Sequence, residues 1–166
     1  MRQRPEKDQY YLRIAREVAA RGTCLRRNHG AVIVNRDQII STGYAGAARG
    51  APNCIEGDEC PRERANVPRG ERYELCRSVH AEMNAIIHAA RSDMVGGTLY
   101  LVGITPEGEV VEGTEPCLMC RRVIINAGIK DVVVMRPDGS AQRFAVERWI
   151  NEESPPYLRA EGRRSG

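Results

Sequence analysis

A mixed α/β sheet covered by helices is the fold this sequence predicts, and three observations predict it. Two short β-branched runs, residues 30–34 and 38–42, are separated only by Asn35-Arg36-Asp37, the spacing of an antiparallel hairpin. A helical stretch at residues 117–127 lies between two more strand-like runs, 98–102 and 131–135. A helix joining neighbouring strands normally makes them parallel by a right-handed crossover. A length of 166 residues suits one domain with a full core.

The elements follow in order. Residues 8–21 read as a helix, because Tyr11, Ile14, Ala15, Val18 and Ala19 recur at helical spacing on one face, and Gly22 ends it. The hairpin comes next. Residues 80–90 are helical, with Ala81, Ala85, Ile86 and Ala89 offering packing surface. Strand 98–102 is followed by a small excursion at 107–113, then by helix 117–127, which Gly128 stops before strand 131–135. A last helix is expected at about 145–150. The order is α-β-β-α-β-α-β plus that helix, without an internal repeat. Residues 1–150 form the expected single domain, and 151–166, with Pro155-Pro156, read as a loose tail.

Residues 45–77 break the pattern. They are rich in Gly, Pro and charge, carry no apolar period, and exceed the ~12–15 residues beyond which unstructured loops are uncommon. Cys54, Cys60 and Cys76 lie in this insertion and Cys24 stands not far before it. A second, structural zinc held by Cys24, Cys54, Cys60 and Cys76 would fasten a segment with so little apolar surface. His29 is an alternative ligand, and four separately packed thiols are the plain alternative, since the spacing is not a tight Cys-x-x-Cys knuckle.

Composition excludes several classes. No apolar run approaches the ~20 residues of a membrane-spanning helix, and the start, Met1-Arg2-Gln3-Arg4-Pro5, leads into no signal-peptide core. Six cysteines without a secretory signal point to a reducing compartment, so a cytoplasmic location is expected. The net charge is only +3, with Lys7 and Lys130 the only lysines. One Trp and one Phe offer few platforms for unstacked bases, which argues for a small-molecule nucleotide over a nucleic acid as partner.

His80-Ala81-Glu82 and Pro116-Cys117-Leu118-Met119-Cys120 carry the chemistry. A lone Cys-x-x-Cys would suit a redox pair or half a structural site. His-x-Glu followed by Pro-Cys-x-x-Cys is far narrower and is a signature of zinc nucleobase deaminases. His80, Cys117 and Cys120 supply three ligands and leave one position open on a tetrahedral zinc, as a catalytic site requires. Pro116 suits the first turn of a helix, which would put Cys117 and Cys120 on one face. His80 and Glu82 diverge inside a helix but converge on a metal lying beyond its start. Two thiolates offset the zinc charge, so a nearby base is useful, and Glu82 is the candidate proton carrier between water and the ring nitrogen.

These stretches, with Cys24-Leu25-Arg26-Arg27, Gly30-Ala31-Val32-Ile33-Val34, Asn84-Ala85-Ile86 and Ala127-Gly128-Ile129, resemble the deoxycytidylate deaminases of the cytidine deaminase superfamily over roughly residues 8–135. The resemblance implies a three-layer α/β/α sandwich around a mostly five-stranded mixed sheet. It also implies hydrolysis of deoxycytidylate to deoxyuridylate and ammonia, and a homo-oligomeric assembly. Arg26, with Arg27, is then a candidate for the 5′-phosphate, and Asn28 for the sugar or base. Tyr44 and Ala81 are candidate substrate contacts from the family's motifs. One departure stands out: the family's Gly-Tyr-Asn-Gly is Gly43-Tyr44-Ala45-Gly46 here, which removes an amide implicated in nucleotide contacts and triphosphate control. A deaminase of another nucleotide or modified base, a transfer-RNA adenosine deaminase and a non-catalytic zinc-stabilised module are the rival readings. Glu82, which such a module would not need, argues against the last.

Overall fold

The computed structural model describes residues 3–153. Helix α1 (Lys7–Ala19) precedes strands β1 (Asn28–Asn35) and β2 (Gln38–Tyr44), and the short strand β3 (Gly46–Ala47) opens the insertion. Inside it lie a 3-10 turn at Cys54–Glu56, helix α2 (Pro61–Arg64) and a second 3-10 turn at Tyr73–Leu75. Strand β4 (Ser78–Val79) closes it, followed by α3 (Ala81–Ile87), α4 (Arg91–Met94), β5 (Thr98–Ile104), α5 (Leu118–Ala127), β6 (Asp131–Met135), β7 (Ala141–Ala145) and α6 (Val146–Glu153).

The main sheet has the order β2-β1-β5-β6-β7. β1 pairs antiparallel with both β2 and β5, β5 and β6 are parallel, and β7 returns antiparallel on the edge. The hairpin is as the spacing predicts. Arg36 and Asp37 form its two-residue turn with φ of 49° and 64°, the left-handed pair whose twist matches the flanking strands. The parallel β5-α5-β6 unit is likewise as expected.

Alternate residues along the strands feed two cores. Val32, Val34, Tyr100, Val102 and Val133 face α1, whose Tyr11, Leu12, Ala15 and Ala19 are buried. Ala31, Ile33, Leu99, Leu101, Val132 and Val134 face the opposite layer, where Ala81 and Ala85 of α3, Cys120 and Ile124 of α5, and Trp149 of α6 pack. The result is the three-layer sandwich.

Several boundaries differ from the sequence expectation. α1 stops at Ala19, short of the expected end, and its buried face is Tyr11, Leu12, Ala15 and Ala19, with Ile14 and Val18 only partly covered. α3 ends at Ile87, with His88 as its cap, and a separate turn α4 follows. His88 is an exposed surface residue held by hydrogen bonds: one ring nitrogen is 2.9 Å from the Thr42 carbonyl and the other 3.0 Å from Arg49. β7 carries no sequence signal, since Ala141-Gln142-Arg143-Phe144-Ala145 is an edge strand half open to solvent. α6 runs through residues 151–153, where the tail was expected to begin, and the remaining tail residues lie outside the described ones. The insertion is not structureless. Its ends are joined by the β3–β4 ribbon, Gly46 opposite Val79 and Ala47 opposite Ser78.

Candidate active site

His80 is the N-cap of α3 and Cys117 the N-cap of α5, with Cys120 buried in the first turn of α5. Pro116 therefore lies just ahead of its helix rather than in the first turn, because Cys117 keeps an extended backbone at φ −66°, ψ 166°. Two features seat α3. Gly43 of β2 lets the helix backbone approach closely, and the Ser41 hydroxyl donates to the Ala85 carbonyl at 2.7 Å. Asn84 adds a hydrogen bond from Nδ2 to the Tyr44 carbonyl at 2.8 Å. The loop ahead of α5 is held by Arg121, which donates to the Pro116 carbonyl at 3.2 Å and the Glu115 carboxylate at 2.9 Å.

Nδ1 of His80 lies 3.5 Å from the Cys117 sulfur and 3.3 Å from that of Cys120. A tetrahedral zinc at its usual Zn–N and Zn–S lengths separates nitrogen from sulfur by about 3.6 Å. The donor set fits that ion in chemistry and spacing. Among the described residues it is the only group of three or more metal-ligand atoms within 4.8 Å of one another. The contact between the two thiols is the main cause that pushes Cys117 down to about 4, and the same contact pushes Cys120 up. A dication bound here would hold both sulfurs as thiolates.

Glu82 sits two residues after the His80 cap, with 5% of its surface exposed. Burial raises its pKa above the usual carboxylate range, and its own backbone N–H and the His80 ring oppose this. A carboxyl tuned toward neutrality, beside the ligands without being one of them, is suited to carry protons.

A cleft of about 190 Å³ opens onto this group. His80, Ala81, Glu82 and Cys117 line it, with His29 of β1 and Thr114 nearby. His29 is pushed down to about 4, first by desolvation and then by the charges of His80, Arg27 and Arg69, so it is neutral at pH 7. The insertion supplies the facing wall, with Arg62, Arg69 and Tyr73.

The structure sorts the expected substrate contacts. Ala81 and Arg26 line the cleft, but Arg26 is paired with Glu63 at 2.7 Å. Arg27 and Arg69 also line it, and among the described residues neither forms an ion pair. Asn28 lies outside the lining: its Oδ1 accepts the Cys24 N–H at 3.0 Å and closes the loop before β1. Tyr44 is 38% exposed and also outside the lining, while its neighbour Ala45 is inside. Cys24, Cys60 and Cys76 line the cleft beside the catalytic group. Cys54 shares their corner, its thiol raised by burial and then by Cys24, Cys76 and Cys60. Sequence reasoning missed Arg62, Arg69 and Tyr73. All three lie in the insertion, where no period distinguishes one residue from the next.

A buried carboxylate beside three converging nitrogen and sulfur donors, at the helix ends of an α/β sandwich, is the layout of a hydrolytic zinc site. The chain belongs to the family described as the cytidine and deoxycytidylate deaminase zinc-binding region, whose model matches residues 5–136. It is 38% identical over 135 residues to a deoxycytidylate deaminase of Mycobacterium phage D29, covering 78% of this chain and 94% of that protein. It is 39% identical over 130 residues to a deoxycytidylate deaminase of Schizosaccharomyces pombe, and there it spans only 37% of the relative's length against 78% of its own. The fold is that of the dCMP deaminase from cyanophage S-TIM5 solved in complex with dCMP and dUMP, with a TM-score of 0.56, 23% identity, and 81% and 85% of the two chains covered.

Proposed function

We propose that this protein hydrolyses deoxycytidylate to deoxyuridylate and ammonia. The observation that carries the reading is the buried Glu82 carboxyl beside the His80-Cys117-Cys120 donor set at the floor of a basic cleft. The D29 relative, matched over nearly its whole length, supports the substrate. His80, Cys117 and Cys120 would hold a zinc ion, which would supply the Lewis acidity that makes water a nucleophile near neutral pH. Glu82 takes the proton of the attacking water, delivers it to the ring nitrogen next to the amine-bearing carbon, and returns a proton to the amine as it leaves as ammonia. Water is consumed, one C–N bond breaks, and one C–O bond forms.

Arg27 and Arg69 are the better-placed partners for the 5′-phosphate, because Arg26 already faces Glu63. Neutral His29 is poised to hydrogen-bond an uncharged part of the substrate. Ala45 in the lining, without an amide, favours as second reading a deaminase of a related nucleotide. A panel of cytosine and adenine nucleosides, nucleotides and oligonucleotides scored for ammonia release separates these readings. Faster release from an anticodon stem-loop than from any free nucleotide would overturn the proposal.

The structural zinc on Cys24, Cys54, Cys60 and Cys76 remains part of the proposal because three of these thiols line one cleft and all four belong to the insertion or its approach, although no three of their sulfurs lie within 4.8 Å of one another among the described residues. Cys60→Ser is expected to lower metal content from two zincs per chain toward one. A content of one in metal-replete wild type, unchanged by the substitution, would remove the second site. The homo-oligomeric assembly is expected in solution, with light scattering as its test.

A further inference from the structure

Tyr73 connects the insertion to the metal ligands. Its ring stands edge-on to the His80 imidazole, with centroids 5.0 Å apart and planes at 84°. Over the Tyr73 ring lies the Arg62 guanidinium, its Cζ 4.7 Å from the centroid. Arg62 is 7% exposed and donates to the carbonyls of Pro68 at 3.0 Å and Glu71 at 2.7 Å, so it ties together the loop from which Tyr73 rises. Arg72, just before Tyr73, has φ of 48°, a left-handed conformation that side chains other than glycine adopt at a cost. The backbone accepts that cost where it delivers the ring to the cleft.

Metal-ligating imidazoles are usually aimed by a hydrogen bond from the ring nitrogen that does not face the metal. His80 turns Nδ1 toward both sulfurs, and among the described residues no side-chain hydrogen bond engages its Nε2. A ring held by one nitrogen can swing about χ2. Among the described residues the aromatic ring in contact with the imidazole is that of Tyr73.

We infer that Tyr73 is the positioning residue for His80. Its ring fixes the imidazole plane so that Nδ1 meets the two sulfurs, and Arg62 holds Tyr73 in place from within the insertion. The inference rests on the reading of His80, Cys117 and Cys120 as metal ligands. It makes the insertion a working part of that centre, where the sequence suggested a separately fastened appendage.

Zinc-loaded full-length protein tests this, read out as the rate of the phase of zinc loss to a colorimetric chelator that His80→Ala abolishes, and as the visible spectrum after cobalt substitution. Tyr73→Leu is expected to speed zinc loss by about ten- to a hundredfold, the range seen when an orienting partner is removed, and to shift the cobalt bands. Tyr73→Phe keeps the ring and is expected to lose zinc at the wild-type rate. Arg62→Gln frees the Tyr73 ring without removing it and is expected to give a smaller acceleration, which carries the test if Tyr73→Leu does not fold. Wild-type zinc loss in both Tyr73→Leu and Arg62→Gln would overturn the inference. Equal acceleration by Tyr73→Phe would do the same, by assigning the effect to the hydroxyl. A zinc content per chain undiminished by His80→Ala would instead overturn the ligand reading beneath it.

Discussion

Gly43→Ala probes how the catalytic helix is seated. A Cβ at this position would lie 2.2 Å from the Ala85 backbone nitrogen, 2.5 Å from the Ala81 carbonyl oxygen and 2.8 Å from the Asn84 carbonyl carbon. Unstrained contacts to carbon begin at about 3.5 Å, so α3 would have to retreat by roughly 1 Å. All three obstacles are backbone, which cannot swing aside as a side chain would. The retreat would also stretch the bonds from Ser41 to Ala85 and from Asn84 to Tyr44. Overpacking costs about 1–3 kcal/mol, and each hydrogen bond adds about 1 kcal/mol. A loss of roughly 3–5 kcal/mol is expected, measurable by urea unfolding. His80 and Glu82 ride on the same helix, and a displacement of about 1 Å costs on the order of a hundredfold in turnover. Gly57→Ala is the control, since its nearest obstacle is the Cys54 carbonyl at 3.5 Å. A Gly43→Ala protein within 1 kcal/mol of wild type by the same assay, with full turnover, would refute the close-approach argument.

Other outcomes follow from the site. Glu82→Gln is expected to retain zinc and fold while turnover falls by about 10³–10⁴, because the proton carrier is lost and every ligand remains. Activity within tenfold of wild type would take Glu82 out of the mechanism. Arg27→Ala and Arg69→Ala are each expected to lower kcat/KM for deoxycytidylate by about ten- to a hundredfold, one charge-assisted contact, with little effect on deoxycytidine. Arg26→Ala should do less, and the reverse ranking would return the phosphate to Arg26. His29 gives the fold a pH dependence. Its folded pKa of about 4 lies below the unfolded 6.5, so the unfolded chain binds the extra proton between these values. Stability from this group is full above about 6.5 and drains away as pH falls toward 4, by up to about 3 kcal/mol. His29→Asn should flatten that slope in denaturant titrations, and an unchanged slope would place the proton uptake elsewhere.

The legible parts of this protein are those with a short-range physical cause. Hairpin, crossover and layers follow from alternation and turn spacing, and the three donors with Glu82 follow from ligand chemistry. Three kinds of feature stay hidden. β7 is short, polar and on an edge, so it leaves no hydrophobic trace. Cap geometry places His80 and Cys117 outside helices they were expected to begin, since a cap differs from a first turn only in backbone angles. The roles of Arg62, Arg69 and Tyr73 depend on how the insertion folds back, which no local pattern encodes. Asn28 illustrates the same gap: its amide looks available for a sugar in the sequence, and the structure spends it on the Cys24 N–H.

The two-residue ribbon of Gly46–Ala47 with Ser78–Val79 has a kinetic meaning. Bringing the ends of a long flexible loop together costs conformational entropy that grows with the logarithm of its length. Here the sheet already holds one end through β2, and α3 holds the other, so the ribbon forms as a by-product of assembling the frame. Everything between residues 47 and 78 then searches for its contacts from a tethered start, over short separations. The frame should therefore assemble first and the insertion settle onto it afterwards, bringing Arg62 and Tyr73 to a metal site whose other walls are already standing.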